Sequence, residues 1–180
     1  MPLSGGPPRF PPARMKTRAF IIRKAVPEDA ETLCHLIREL AEYERLADEA
    51  DPDAASLGRH LSEGANPPCR AFLAVDASGT SVGFALFFQI YSTFLTGWGV
   101  HLEDLYVKPP FRGQGIGETL LKAVARDAVD HGCDRLELSV LDWNTLAVNF
   151  YLKRGARSLD DWTTMRFTGT ALRELARQRK

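Results

Sequence analysis

Between Val107 and Glu118 the chain reads Val-Lys-Pro-Pro-Phe-Arg-Gly-Gln-Gly-Ile-Gly-Glu, with Gly113, Gly115 and Gly117 at alternate positions behind Arg112. A turn of this composition can aim several backbone N–H groups at one point. A helix starting on it adds the positive end of its dipole, and together these make a site for a diphosphate. Arg112 contributes a cation. The same glycines would also serve a plain structural turn. Two common nucleotide loops do not fit: a Walker A loop needs Gly-Lys-Ser/Thr, and a dinucleotide turn needs glycine where Glu118 stands. ATP and NAD are thereby disfavoured.

Other residues carry chemistry of their own. Glu103 and Asp104 are adjacent acids just ahead of the turn; either can accept a proton, and either can be half of a solvated strand pair. Tyr151 is a phenol that can donate a proton or pack with its hydroxyl capped. His35, His60, His101 and His131 are scattered, and none is assigned a role; His101 would share a strand face with Glu103 only if no bulge intervenes. Cys34, Cys69 and Cys133 form no C-x-x-C pair and no zinc-spaced cluster, so no metal is expected and the thiols read as reduced and mostly buried.

The elements that must position these residues follow from periodicity. Phe20 to Arg23 reads as a short strand, and Pro27-Glu28-Asp29 suits a helix start. Leu33, Ile37, Leu40 and Ala41 recur at helical spacing to about Arg45. A weaker helix over residues 53–63 is broken by Asn66-Pro67-Pro68. Residues 70–75 and 82–88 are strands joined by a hairpin connection at 76–80. Leu102 to Val107 is a further strand whose alternation slips at Glu103 and Asp104, which predicts a β-bulge. From Gly115, Ile116, Leu120, Leu121, Val124, Ala128 and Val129 make the apolar face of a helix stopped by Gly132. Residues 135–141 alternate as a strand, Asn144 reads as the N-cap of a helix to about Arg154, and a last strand over 163–167 precedes a C-terminal helix from about Thr170. A mixed sheet with helices on both faces is the sum.

The whole chain sets the bounds. Its 180 residues, 44% of them hydrophobic, suffice for one domain with a real core. The Pro/Gly-rich residues 1–17 read as a flexible tail, leaving 18–180 as the folded domain. Lys and Arg total 23 and so do Asp and Glu, so the net charge is zero. No global field then draws the chain to nucleic acid or to a membrane. The apolar run from Val82 to Leu95 is too short to span a bilayer, and the N-terminus lacks a signal-peptide core. A cytoplasmic, unexported protein is expected.

The turn resembles the coenzyme A pyrophosphate loop of the GNAT superfamily of N-acetyltransferases, Arg/Gln-x-x-Gly-x-Gly/Ala between the fourth strand and third helix. The resemblance runs from about Ile21 to about Phe167 and is closest to the diamine (spermidine/spermine) and thialysine acetyltransferase branch. Its marks are residues 39–44 (Glu-Leu-Ala-Glu-Tyr-Glu), residues 102–107 (Leu-Glu-Asp-Leu-Tyr-Val), Trp143-Asn144, and residues 149–156 (Asn-Phe-Tyr-Leu-Lys-Arg-Gly-Ala). It implies an α/β (α+β) GNAT fold: a central mixed, mostly antiparallel twisted sheet of six to seven strands, splayed between strands 4 and 5, with helices on both faces.

The resemblance also implies roles. Leu105, Tyr106 and Val107 would meet the acetyl-pantetheine arm of acetyl-CoA through the backbone, and Arg112, Gly113, Gln114, Gly115, Ile116, Gly117 and Glu118 would hold the pyrophosphate. Asn144 and Ala147, the latter standing where the family has serine, would touch the coenzyme again. Tyr151 would be the general acid and Glu103 the base. Tyr43, Glu44, Asp104, Glu137, Leu138 and Ser139 would line the acceptor pocket. The implied activity is direct acetyl transfer to a primary amine, a small diamine, polyamine or thialysine/lysine-like molecule. After Gly155 the branch carries a Ser-Glu-Glu-Gly-Trp style segment, whereas this chain has Leu159-Asp160-Asp161-Trp162 at a different spacing, a departure that puts polyamine specificity in doubt. A protein lysine or N-terminal acetyltransferase is the alternative, and a non-catalytic coenzyme A sensor the alternative of another class. A homodimer is implied by the branch alone.

Overall fold

The computed structural model describes residues 19–177 apart from 63, 65 and 66. The expected tail at 1–17, together with Glu63 and Asn66, lies outside the described residues. The chain divides into two compact units, residues 1–139 and 140–180.

In the first unit the elements run β1 (Phe20–Lys24), α1 (Ala30–Glu44), α2 (Ala54–Ser62), β2 (Arg70–Asp76), β3 (Ser81–Ser92), β4 (Gly97–Val107), α3 (Ile116–Asp130) and β5 (Arg135–Leu138). The strands form one sheet in chain order, antiparallel from β1 to β4 and parallel between β4 and β5. Strand side chains alternate between faces. Ala71, Leu73 and Val75 of β2 and Phe84 and Leu86 of β3 therefore bury one face against Leu33, Leu36 and Leu40 of α1. Phe72, Ala74, Ala85, Phe87, Val100 and Leu102 bury the other, which α3 covers with Ile116, Leu120, Val124 and Ala128. The expected arrangement of helices on both faces is present.

The helix signals act as expected, with two adjustments. Pro27 opens a short 3-10 turn, Pro27–Asp29, so α1 proper begins at Ala30. Asp29 there accepts from Arg23 at 2.6 Å, and that partner lowers its carboxyl pKa. On α3 the expected apolar residue Val129 is 71% exposed while Asp127 is buried. Thirteen residues on from Ile116, Val129 falls on the far side of a helix that turns every 3.6 residues.

In the second unit α4 (Thr145–Leu152) is capped by Asn144, whose Oδ1 accepts from the N–H of Ala147 at 3.2 Å. α5 spans Gly169–Arg177. The sheet has five strands, not six to seven, and the strand expected at 163–167 does not form. Alternation supplies only a fitting face; a strand also needs a partner edge for its N–H and C=O groups, and among the described residues this segment has none.

Candidate active site

The register of β3 against β4 shifts between Leu86 and Phe87: Leu86 stands opposite Asp104, and Phe87 opposite Leu102. Glu103 is left without a partner, which is the bulge expected from the slipped alternation. β5 pairs with Gly99–Leu102 and ends there, so past the bulge the Glu103–Val107 edge of β4 has no strand beside it among the described residues. The sheet thus opens between strands 4 and 5 at the acid pair. Backbone N–H and C=O groups along that edge are available to an extended ligand.

The bulge distributes the two acids differently. Glu103 is exposed, with its Oε2 3.6 Å from Nε2 of His101, so the bulge does not separate these two side chains as expected. Asp104 points to the α1 side and is half-buried. Burial, and then the charges of Glu103 and Glu44, push its carboxyl up to about 7. Glu44, at the last turn of α1, is also raised by burial. Three carboxyl groups from two elements thus share one field, and a cationic amine is the ligand that would relieve it.

Past Val107 the chain is tied to α1. Lys108 Nζ meets Glu39 Oε1 at 2.8 Å, and the Tyr106 hydroxyl donates to Glu39 Oε2 at 3.4 Å. A 3-10 turn at Pro109–Phe111 leads into the glycine turn. Arg112 donates through Nε to the Val107 carbonyl at 2.9 Å, and its guanidinium lies 4.3 Å from the ring centre of Tyr43. Gly113 and Gly115 have φ of 74° and 81°, in the left-handed region that glycine tolerates best. A Cβ at either position would meet nothing within 4 Å, so open space rather than crowding lies beside the turn. Gly115 is the residue on which α3 starts, and Gln114 Oε1 is buried there without a hydrogen-bond partner among the described residues. Alternating left-handed residues ahead of a helix start present N–H groups to one side, the arrangement that accepts a diphosphate. Glu118, in the first turn, pairs with Lys122 at 2.7 Å.

The remaining expected residues fall into two groups. Glu137 lies opposite His101 and Leu138 opposite Leu102 on β5; Glu137 pairs with Arg135 at 2.9 Å, and Ser139 is exposed beyond the strand end. Tyr151, Asn144 and Ala147 belong to the second unit. Tyr151 stands on α4 with its ring 5.1 Å from that of Phe150, while Asn144 and Ala147 make the cap.

Arg70 and Asp127 form a covered ion pair that no sequence motif announces. Asp127, with its side chain 4% exposed, lies 2.7 Å from Arg70 Nη1, 3.8 Å from Lys24 Nζ and 3.5 Å from His131 Nδ1. An acid on the apolar face of α3, three residues after Val124, was the available signal. Among the described residues no group of three or more His, Cys, Asp and Glu is placed to hold a metal.

Comparison with known proteins supplies the family. Residues 31–156 match the model described as Acetyltransferase (GNAT) family. The chain belongs to that family. As a GNAT acetyltransferase it is an enzyme of a class that uses acetyl-CoA as co-substrate. This GNAT chain is 44% identical over 168 residues to a thialysine N-epsilon-acetyltransferase of Sus scrofa, covering 88% of the chain and 98% of the relative. It is 44% identical over 93 residues to an L-ornithine N5-acetyltransferase of Arabidopsis thaliana, covering 52% of the chain and 41% of the relative. Among solved structures, an integron cassette protein from the mobile metagenome of V. cholerae superposes with a TM-score of 0.72 at 26% identity, covering 88% of this chain and 98% of that one.

Proposed function

We propose that this GNAT enzyme acetylates the side-chain amine of a small thialysine- or lysine-like acceptor. The observation that carries this is the carboxyl group of Asp104, raised to about 7 beside Glu103 and Glu44 at the opening of the sheet. The names of the two curated relatives agree with a small amino-acid acceptor.

Acetyl-CoA binds with its pantetheine arm along the unpaired edge at Leu105, Tyr106 and Val107. Its diphosphate lies on the N–H groups of Gly113 to Gly117, with Arg112, Gln114 and Glu118 around it and Asn144 and Ala147 touching it further on. The acceptor enters as an ammonium ion attracted by Asp104 and Glu44, with Tyr43, Glu137, Leu138 and Ser139 lining its pocket. An acid whose pKa lies near the working pH is suited to take a proton. Asp104, in place of the Glu103 that the resemblance implies, removes one from the ammonium, with Glu103 beside it. The neutral nitrogen forms a C–N bond with the thioester carbonyl, the C–S bond breaks, and Tyr151 donates the proton that converts the thiolate to coenzyme A thiol. The second nitrogen proton and the one held by Asp104 leave to solvent, which also reprotonates Tyr151. Holding both reactants together accounts for much of the rate.

Residues 18–180 act as one acetyltransferase domain, a reading supported by the family match that crosses the boundary between the two units. The exposed Tyr91, Phe94, Leu95 and Trp98 around the β3–β4 turn support a homodimer. Three unbridged, buried cysteines support a cytoplasmic setting. The function is tested by incubating the enzyme with acetyl-CoA and an equimolar mixture of thialysine, lysine, ornithine, spermidine, an amino sugar and a lysine-containing peptide. Mass spectrometry should find thialysine or its amino-acid analogues acetylated first; acetylation of the peptide alone would overturn the proposal.

A further inference from the structure

β5 carries two charged side chains to the same side of the sheet as Asp104. In its parallel ladder with β4, Arg135 stands opposite Gly99 and Glu137 opposite His101, and residues in register share a face. His101 is in turn opposite Phe88, whose ring packs against the core beneath α1 and lies 5.2 Å from the imidazole. Arg135, Glu137 and His101 therefore face the α1 side, as Asp104 does. Arg135 Nε is 2.9 Å from Glu137 Oε1, an ion-pair distance, yet its N–H is not directed at that oxygen and finds no acceptor among the described residues. Both side chains are about one-third exposed, so the pair is close, imperfectly joined and open to a ligand.

Its distance from the amine end matches one kind of molecule. The bulge absorbs Glu103, so the row of His101 and Glu137 is two ladder steps from Asp104, about 7 Å, with β5 one strand spacing of about 5 Å to the side. An extended lysine-like side chain sets its terminal nitrogen about 6 Å from its α-carbon and about 7–8 Å from its carboxylate. A guanidinium beside a carboxylate also complements an α-amino acid head, offering a cation to the carboxylate and an anion to the α-ammonium.

We propose that Arg135 is a specificity-determining residue that binds the α-carboxylate of the acceptor, with Glu137 taking the α-ammonium, so that the enzyme selects amino acids over diamines. The proposal rests on the reading of the acceptor as a small lysine-like amine whose terminal nitrogen is delivered to Asp104. The planar guanidinium meets the two carboxylate oxygens with two N–H groups. A diamine of the same length offers Glu137 an ammonium but sets a like charge beside Arg135 with no carboxylate to join them.

The test measures kcat and KM for thialysine and for bis(2-aminoethyl) sulfide, which is thialysine without its carboxylate, in the full chain as wild type, Arg135→Gln and Arg135→Lys. Wild type should favour thialysine by at least about tenfold in kcat/KM. Arg135→Gln should erase that preference through a rise of about tenfold in KM for thialysine, with kcat and the KM for the diamine within about threefold of wild type. Arg135→Lys should recover part of the preference, since it restores the charge without the fork. A merely structural role would weaken both acceptors alike. Equal kcat/KM for the two acceptors in wild type, or an equal loss on both in Arg135→Gln, overturns the role of Arg135 and leaves the small-amine reading standing. Turnover of neither acceptor by wild type overturns both.

Discussion

Asp104 stands opposite Leu86 in the β3–β4 ladder, so an ionisable carboxyl shares the α1-facing side of the sheet with a core leucine. The bulge at Glu103 turns it that way, and the energetic consequence has a definite sign. The group titrates in the ordinary carboxylate range, about 4, in the unfolded chain and at about 7 in the folded one. Between those values the folded state holds a proton that the unfolded state has lost. Stability therefore falls as pH rises from about 4 to 7 and levels off above. Asp104→Asn should be more stable than wild type at pH 8, by about 1–2 kcal/mol, and no more stable at pH 4, as read by denaturant titration at both values.

The same residue has a kinetic signature. With Asp104 as the proton acceptor, kcat/KM for the amine should rise through a midpoint near 7, where the carboxyl ionises. Asp104→Asn should lose that limb and about a hundredfold in kcat/KM. An unchanged profile in the variant would transfer the role to Glu103.

Asp127 is a structural counterpart on the opposite face. It neutralises Arg70 from β2 and Lys24 from β1 while sitting on α3, so it pins the helix that begins at the glycine turn. Asp127→Ala leaves a largely covered guanidinium without its carboxylate. The expected loss is about 3 kcal/mol of folding stability, read by urea titration. A loss below about 1 kcal/mol would show that the cluster is solvated and holds little.

Tyr151→Phe separates chemistry from binding. Removing the phenol hydroxyl should lower kcat about a hundredfold and alter the KM for acetyl-CoA by less than about threefold. A parallel loss in both would instead make Tyr151 a binding residue.

Much of this was legible because local chemistry decided it. Glycine is the residue that tolerates left-handed angles best, and Gly113 and Gly115 have them while Gly117 already belongs to α3. The slipped alternation at Glu103 could only be absorbed by an extra residue in the strand. What stayed hidden depends on partners distant in sequence. β3 runs on to Ser92 and β4 begins at Gly97 because each supplies the other's hydrogen bonds, although Gln89, Gly97 and Gly99 spoil the apolar pattern. Gly99 sits at a close approach: a Cβ there would lie 3.2 Å from the Arg135 carbonyl and 3.3 Å from Ile90. The absent strand at 163–167 is the converse case, a fitting pattern without an edge. Asp127 reads as a misplaced acid until Arg70, 57 positions earlier in the chain, is folded against it.

Whether the glycine turn holds the diphosphate of acetyl-CoA is decided by calorimetric titration of coenzyme A into wild type and Gly115→Glu. A Cβ at Gly115 would meet nothing within 4 Å, so the turn has open space for a larger residue, and its carboxylate adds a negative charge beside the proposed diphosphate position. Its left-handed backbone costs only about 1–2 kcal/mol. Wild type should bind, and the variant should keep its circular dichroism spectrum while losing at least about a hundredfold in affinity. Equal affinity in a folded variant would contradict the account.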